Sequence, residues 1–422
     1  MRQYQKLPEL LAPAGSQASL TAAIKAGADA VYFGVAELNM RANTAQKFTV
    51  DDLADIAQQC HDADVKCYLA LNVLVYGDEL EKIKEVIDAV KKAKIDAVIC
   101  FDPSVIEYAR SVGVEVHIST QHSISNIEAV KFFSQWADRM VLARELTLEQ
   151  IKEIVEQVRR EDIRGPSGRL IEIEIFVHGA MCVSVSGRCG MSLYCHNTSA
   201  NRGMCFQPCR RAYQVTDPQT GKAMKVDNEF VMSPEDLCTI GMLDEIVKSG
   251  AVCLKIEGRG RAADYVDRVV RTYREALETI ETLATPETLV SKHPDKIDRW
   301  NKELGTVYHR GLSDGFYRGK AFKYWCGSYG SQATETKEFI GPVTKYYPKI
   351  SVAEVTVQAS ELQEGTEVVF LGKNTGVHRT CVKNLIVDDK PVKVAKQGDV
   401  LTFKVEERVR HGDKLYKILK TK

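Results

Sequence analysis

The sequence predicts an α/β protein: a (β/α)8 TIM-like barrel with a Cys-rich insert after strand 7, followed by a small all-β C-terminal barrel. Three observations carry that prediction. From residue 8 to about 282, short apolar and often β-branched runs alternate with amphipathic stretches, the mark of βα units feeding a parallel sheet. Eight such runs occur, which fits a closed barrel better than an open doubly wound sheet. From Glu338 onward the texture changes to alternating apolar and polar residues broken by Gly and Asp turns, as in SVAEVTVQA, TEVVFLGK and VLTFKVEERV.

Taken in order, the strands fall at Glu9 to Ala12, Ala30 to Phe33, Lys66 to Leu71, Ala97 to Phe101, Glu115 to Ser119, Met140 to Leu142, Glu172 to Val177 and Val252 to Ile256. Helical spacing, with apolar residues every three or four positions, marks Ser19 to Ala26, Asp78 to Lys92, Thr147 to Arg160 and Ala262 to Ile280. Three joints echo one another: AGADAVYFG, AKIDAVICFD and SGAVCLKIEG each end a helix and begin a strand. The regularity fails once. Residues 179–232 are rich in Cys, Gly, Arg and Asn and lack a long helical period, an insertion on the face where barrel enzymes place their chemistry. The barrel is expected over 1–282, a polar helical linker with the aromatic stretch GFYRGKAF over 283–335, and the β domain over 336–422.

Composition excludes several classes. With 44% apolar and 27% charged residues the chain is globular rather than disordered or fibrous. The 57 Lys and Arg balance the 57 Asp and Glu, so no global field announces a polyanionic partner. The sixteen basic against twelve acidic residues over 331–422 are too small a surplus to change that. No run of 18 apolar residues is present, and LPELLAPAG is broken by Glu9 and two prolines, so neither a membrane span nor a signal peptide is expected and a cytoplasmic location is.

Of 12 cysteines, Cys182, Cys189, Cys195, Cys205 and Cys209 fall within 28 residues. In a reducing compartment such clustering argues for metal rather than disulfides, and soft thiolates from converging segments suit an iron–sulfur cluster, with structural zinc as the alternative. Cys182 and Cys189 form the firmest pair. Cys205 follows them, and Cys209 and Cys238, the latter expected to open the helix leading to the eighth strand, compete for the next position, with Cys195 as a further competitor. Cys60, Cys67, Cys100, Cys253, Cys326 and Cys381 stand in apolar or mixed context and read as small core residues.

Polar residues at the strand ends supply the remaining candidates. Lys255, Glu257, Arg259 and Arg261 follow the eighth strand, where GRGRAAD sets a glycine turn at a helix N-terminus suited to an anion, such as a small dianionic cosubstrate. The alternative is that Lys255 and Glu257 merely pair and the arginines are solvated. Asn72, Asp102, Gln121, Asn126, Arg144, Glu145 and His178 should lie near the same rim. His178, Glu257 and Lys255 are the candidate catalytic groups, and Arg259, Arg261, Asn72, Gln121 and Arg144 the candidate substrate contacts. Arg202, Arg210 and Arg211 beside Phe206 and Tyr213 could pair phosphates and stack a base of single-stranded RNA, or form a solvated basic face.

The stretch EIFVHGAMCVSVSGRCGMS resembles the signature of peptidase family U32, through Glu174, Phe176, Gly179, Cys182, Gly187, Cys189 and Ser192. LLAPAGS, STQ, LARELTLEQI, NRGMCFQPCR, SPEDLC and LKIEGR are further family-like pieces, so the resemblance covers at least residues 8–282. It implies a hydroxylase of tRNA wobble uridine, ribosomal RNA or the ubiquinone ring that does not use molecular oxygen. It also implies a 4Fe-4S cluster on Cys182, Cys189, Cys205 and Cys238, with Cys209 as alternate. For the nucleic-acid branch it implies prephenate as cosubstrate, and the C-terminal β domain favours tRNA 5-hydroxyuridine synthesis over quinone chemistry. The alternatives are a collagenase-like peptidase, for which no HExxH, GxSxG or clear Cys–His pair is present, and a metal-containing RNA-binding module.

Overall fold

The computed structural model describes residues 7–35, 39, 48–224, 230, 232–283, 288–319 and 325–421. The end of GFYRGKAF and residues 225–229 and 231 of the insert lie outside them. Strands β1 (Glu9–Pro13), β2 (Ala30–Phe33), β3 (Lys66–Leu71), β4 (Ala97–Cys100), β5 (Val116–Ile118), β6 (Arg139–Val141) and β7 (Glu172–Gly179) pair in sequence order, all parallel. After β7 the insert carries a short hairpin, β8 (Val215–Thr216) with β9 (Ala223–Met224), and then β10 (Asp236–Cys238), which runs antiparallel to β7. The eighth barrel strand, β11 (Cys253–Ile256), pairs with β1 on one side and β7 on the other, so the barrel closes.

Helices α1 (Gln17–Lys25), α2 (Leu53–His61), α3 (Leu80–Ala93), α4 (Pro103–Ser111), α5 (Ile127–Ser134) and α6 (Leu148–Arg160) follow the first six strands. Side-chain caps start several of them. Ser16 accepts from the Ser19 amide, Asp102 from Ser104 with Pro103 at the first helical position, Asn126 from Ala129, and Thr147 forms a capping box with Gln150. Asp102 and Asn126, expected as rim residues, are thus occupied in starting helices. The insert holds α7 (Met191–His196), and α8 (Leu243–Lys248) and α9 (Ala263–Glu281) flank β11. No helix among the described residues is long and apolar enough to cross a membrane.

Strand alternation divides the interior in two. Val31, Phe33, Leu69, Leu71, Val98 and Cys100 face the helices, while Ala30, Tyr32, Tyr68, Ala97 and Ile99 fill the barrel. Among the latter runs a column of buried charge: Arg139 bridges Glu9 at 2.6 Å and Glu172 at 2.6 Å, and Lys255 holds Glu174 at 2.6 Å.

Beyond α9, α10 (Leu289–Lys292) and α11 (Pro294–Leu304) pack back onto it, with the buried Trp300 indole donating to Glu275. Residues 305–319 then return to the barrel's C-terminal side, where the short strand β12 (Leu312–Ser313) extends β10. The C-terminal domain is an eight-stranded antiparallel sheet wrapped round its own core of Ile340, Val355, Phe370, Leu401, Phe403 and Leu415. Its long first strand, Glu335–Tyr347, is shared by both halves and bends at Gly341, where a Cβ would sit 1.8 Å from the Thr356 carbonyl oxygen. The domain docks on α1 and α9 through Ala22, Ala263, Val369, Val377 and Ile418. Thr21 and Lys25 also donate to the carbonyls of Lys373 and Thr375.

Candidate active site

The insert leaves β7 at Gly179, whose φ is +108° and where a Cβ would lie 2.3 Å from the Glu257 carbonyl oxygen. Only glycine lets the chain pass this closely over the end of β11. The chain then arches over the barrel mouth and roofs a pocket. Asn72, Ser119, Thr120 and Gln121 come from the ends of β3 and β5, Lys255, Glu257 and Arg259 from the end of β11, and Cys182, Cys189, Cys205 and Cys209 from the insert.

Those four cysteines share one wall. The charge environment of Cys209 includes Cys182, Cys205 and Cys189 together, and burial pushes its thiol up to about 11. The Met191 amide donates to Cys189 Sγ at 3.3 Å. Among the described residues, no three of the insert sulfurs lie within 4.8 Å of one another. A single tetrahedral zinc would draw four thiolates to about 3.8 Å apart, so this looser wall suits a polynuclear iron–sulfur centre better. The soft, all-sulfur donor set fits that group as well.

Cys238 stands elsewhere. It ends strand β10 rather than opening a helix, pairs in register with His178, and its thiol meets the Tyr273 hydroxyl at α9. It is not among the residues lining the pocket, whereas Cys209 is, beside Cys182, Cys189 and Cys205. Cys195 is exposed on α7 and also stays outside. His178 is 2% exposed and turned toward Tyr273 and Tyr265. Burial, with His309 and Arg261 adding positive charge, lowers its pKa to about 3. That leaves it neutral at physiological pH, and it is not among the residues lining the pocket.

The remaining candidates separate likewise. Lys255 pairs with Glu174, not with Glu257, and lies over the Tyr32 ring at 4.5 Å. Glu257 accepts from the Tyr32 hydroxyl at 3.2 Å, and Arg259 donates to Asn39 at 3.1 Å. Asn72 and Gln121 hold each other by two hydrogen bonds of 2.8 and 2.9 Å, and Ser119 secures Gln121. Arg144 is stacked on Phe176 at 4.9 Å and donates to the Ala180 carbonyl, while Glu145 accepts from Ser186, so the two adjacent charges form no pair. Arg261 leaves the site: its guanidinium lies 3.6 Å from the Tyr308 ring centre and lines a separate cavity beside the C-terminal domain.

Of the expected RNA contacts, Arg202 is clamped by Glu79 and Arg210 is tied to the carbonyls of Met181 and Pro234 as a brace of the insert. Arg211 and Phe206 remain exposed, and the His196 ring lies 5.1 Å from that of Phe206. Sequence reasoning missed Tyr32 and Arg310 in the pocket lining. Tyr32 was readable from its inward register in β2, whereas Arg310 arrives from the segment after α11 and carries no local signal.

A sequence model of peptidase family U32 matches residues 15–326. The chain belongs to peptidase family U32. Among its U32 relatives, a collagenase of Porphyromonas gingivalis is 44% identical over 409 residues, 97% of each chain. An uncharacterized protease of Methanocaldococcus jannaschii is 38% identical over 98% of each chain. The tRNA hydroxylation protein P1 of Bacillus subtilis is 34% identical over 379 residues, 88% of this chain and 85% of that one. The alignment with the collagenase therefore includes the C-terminal domain as well as the barrel.

Proposed function

We propose that this U32 protein is a tRNA hydroxylase forming 5-hydroxyuridine at the wobble position, with a 4Fe-4S cluster on Cys182, Cys189, Cys205 and Cys209 and prephenate as cosubstrate. The observation that carries the reading is the union of four thiols with a cationic barrel mouth. The charged residues lining the pocket are Arg144, Arg210, Lys255, Arg259 and Arg310 against Glu257. Arg144 and Arg210 donate to backbone carbonyls rather than to carboxylates, so their charge is available to attract a dianion. The similarity to a protein named for tRNA hydroxylation supports the substrate class.

The cluster would supply redox chemistry at the rim of the pocket. The chain's own residues bind and orient. Arg144 and Arg259 line the pocket and would receive the carboxylates, Gln121 and Asn72 hold each other rigid, and the exposed rings of Phe206 and Tyr194 would offer faces for an unstacked base. Nucleoside mass spectrometry of tRNA from a deletion strain tests the proposal. 5-Hydroxyuridine should vanish and return with the wild-type gene but not with Cys182→Ala; undiminished product in the deletion strain, absent a redundant enzyme, sinks it.

A second reading, peptide hydrolysis, is favoured by the name of the 44% identical relative. The pocket wall weighs against it, because its described lining contains four cysteines and no histidine to activate one. Cleavage of collagen by the purified protein, abolished by one cysteine substitution that leaves iron content unchanged, would establish it.

A further inference from the structure

The opposite end of the barrel holds a second group of metal-binding side chains. Cys60 and His61 end α2, Cys67 is the second residue of β3, and Asp96 immediately precedes β4. Cys60 and Cys67 read from sequence as core residues, and both are fully buried. Yet the Cys67 sulfur lies 3.9 Å from His61 Nε2 and 3.4 Å from Asp96 Oδ2, and His61 Nε2 lies 3.0 Å from the same oxygen. Cys60 is a neighbour of Cys67 but stands outside this group of donor atoms. One sulfur, one imidazole nitrogen and one carboxylate oxygen, from Cys67, His61 and Asp96, thus converge from three segments with all three atoms within 4.8 Å of one another.

We infer that His61, Cys67 and Asp96 hold a zinc ion that clips the end of α2 to β3 and β4, with water from the adjoining cavity as the fourth ligand. Zinc bonds of about 2.3 Å to sulfur and 2.0–2.2 Å to nitrogen and oxygen give a tetrahedron with edges of roughly 3.4–3.8 Å. The three measured separations each fall within about half an ångström of such an edge. A surface ion pair between His61 and Asp96 would not require a buried thiol to meet both partners. The mixed N, S and O donor set suits a borderline-soft dication rather than calcium or magnesium. Asp96 is held in place by the Cys67 amide, which donates to Oδ2 at 2.8 Å. The metal has a path in, because His61 and Asp96 line the solvent-open cavity at the bottom of the barrel.

The site is separate from the cysteine wall at the mouth, so the two can be tested apart. Zinc would be measured by mass spectrometry in the full-length protein, in Cys182→Ala, and in His61→Ala, Asp96→Asn and Cys67→Ser. One zinc per chain is expected in wild type and Cys182→Ala. Each substitution in the lower group should weaken zinc binding by more than the roughly 10–100-fold that loss of an outer-shell partner costs. His61 and Asp96 are partly exposed, so those variants keep the test valid if Cys67→Ser does not fold. Cobalt(II) added to the zinc-free Cys182→Ala protein should give a thiolate charge-transfer band that His61→Ala lacks. Zinc lost with Cys182 and retained in His61→Ala, or a full-length protein that takes up no zinc, overturns the inference.

Discussion

Cys209 and Cys238 show how far a single side chain's placement decides its chemistry. Both are cysteines in family-like motifs, and spacing alone left either as the fourth ligand. Strand β10 turns Cys238 toward Tyr273 and α9, whereas the turn at Pro208 leaves Cys209 in the pocket wall. Anaerobically prepared Cys209→Ala should therefore lose most iron and its visible absorption, as Cys182→Ala should, while Cys238→Ala keeps both. The reverse pattern would transfer the ligand to Cys238. His178 teaches the same lesson, since its position after a barrel strand predicted the rim but its ring points into the α9 layer. Sequence named the cysteine cluster because five thiols among Gly, Arg, Ser and Asn have no core to fill. It passed over Cys67 because, alone in an apolar run, it looks like any buried small residue.

The strands and the longer helices were legible because their periods of two and 3.6 residues survive in the sequence. β10 and β12 were not, being two or three residues long and stabilised by pairing at the barrel rim rather than by any pattern of their own. The element that places the site is the exit from β7. At Gly179 a side chain would meet the Glu257 carbonyl in a backbone conformation that L-residues rarely adopt. Gly179→Ala should cost at least about 2 kcal/mol of stability in denaturant titration and weaken cluster retention, because the insert must lift away from β11. A stability within about 0.5 kcal/mol of wild type would show that the strand end accommodates the methyl group.

Across the whole molecule, the barrel is pinned by the charge column that links its first strand to β6 and β7. Burial alone would raise the pKa of Glu9; Arg139, with Lys66 and Tyr68, outweighs that and holds the carboxyl down at about 2, from an ordinary 4.5. A carboxylate whose pKa is lower in the folded state stabilises fully above its unfolded value and loses that contribution as pH falls toward its folded value. Up to about 3 kcal/mol should therefore disappear between about pH 4.5 and 2. In Glu9→Gln the pH dependence of the unfolding midpoint in that window should flatten; an unchanged slope would show that Glu9 is not the group responsible. The sequence by itself determined the eight-strand count, the position of the insert, the change to a β domain and the family, because periodicity and motif order are local properties of the chain. Only the tertiary structure decided which thiols share a wall, which carboxylate takes Lys255, and that a second set of donors meets under the barrel. Each of these depends on segments distant in sequence arriving at one point with their side chains turned to the same side.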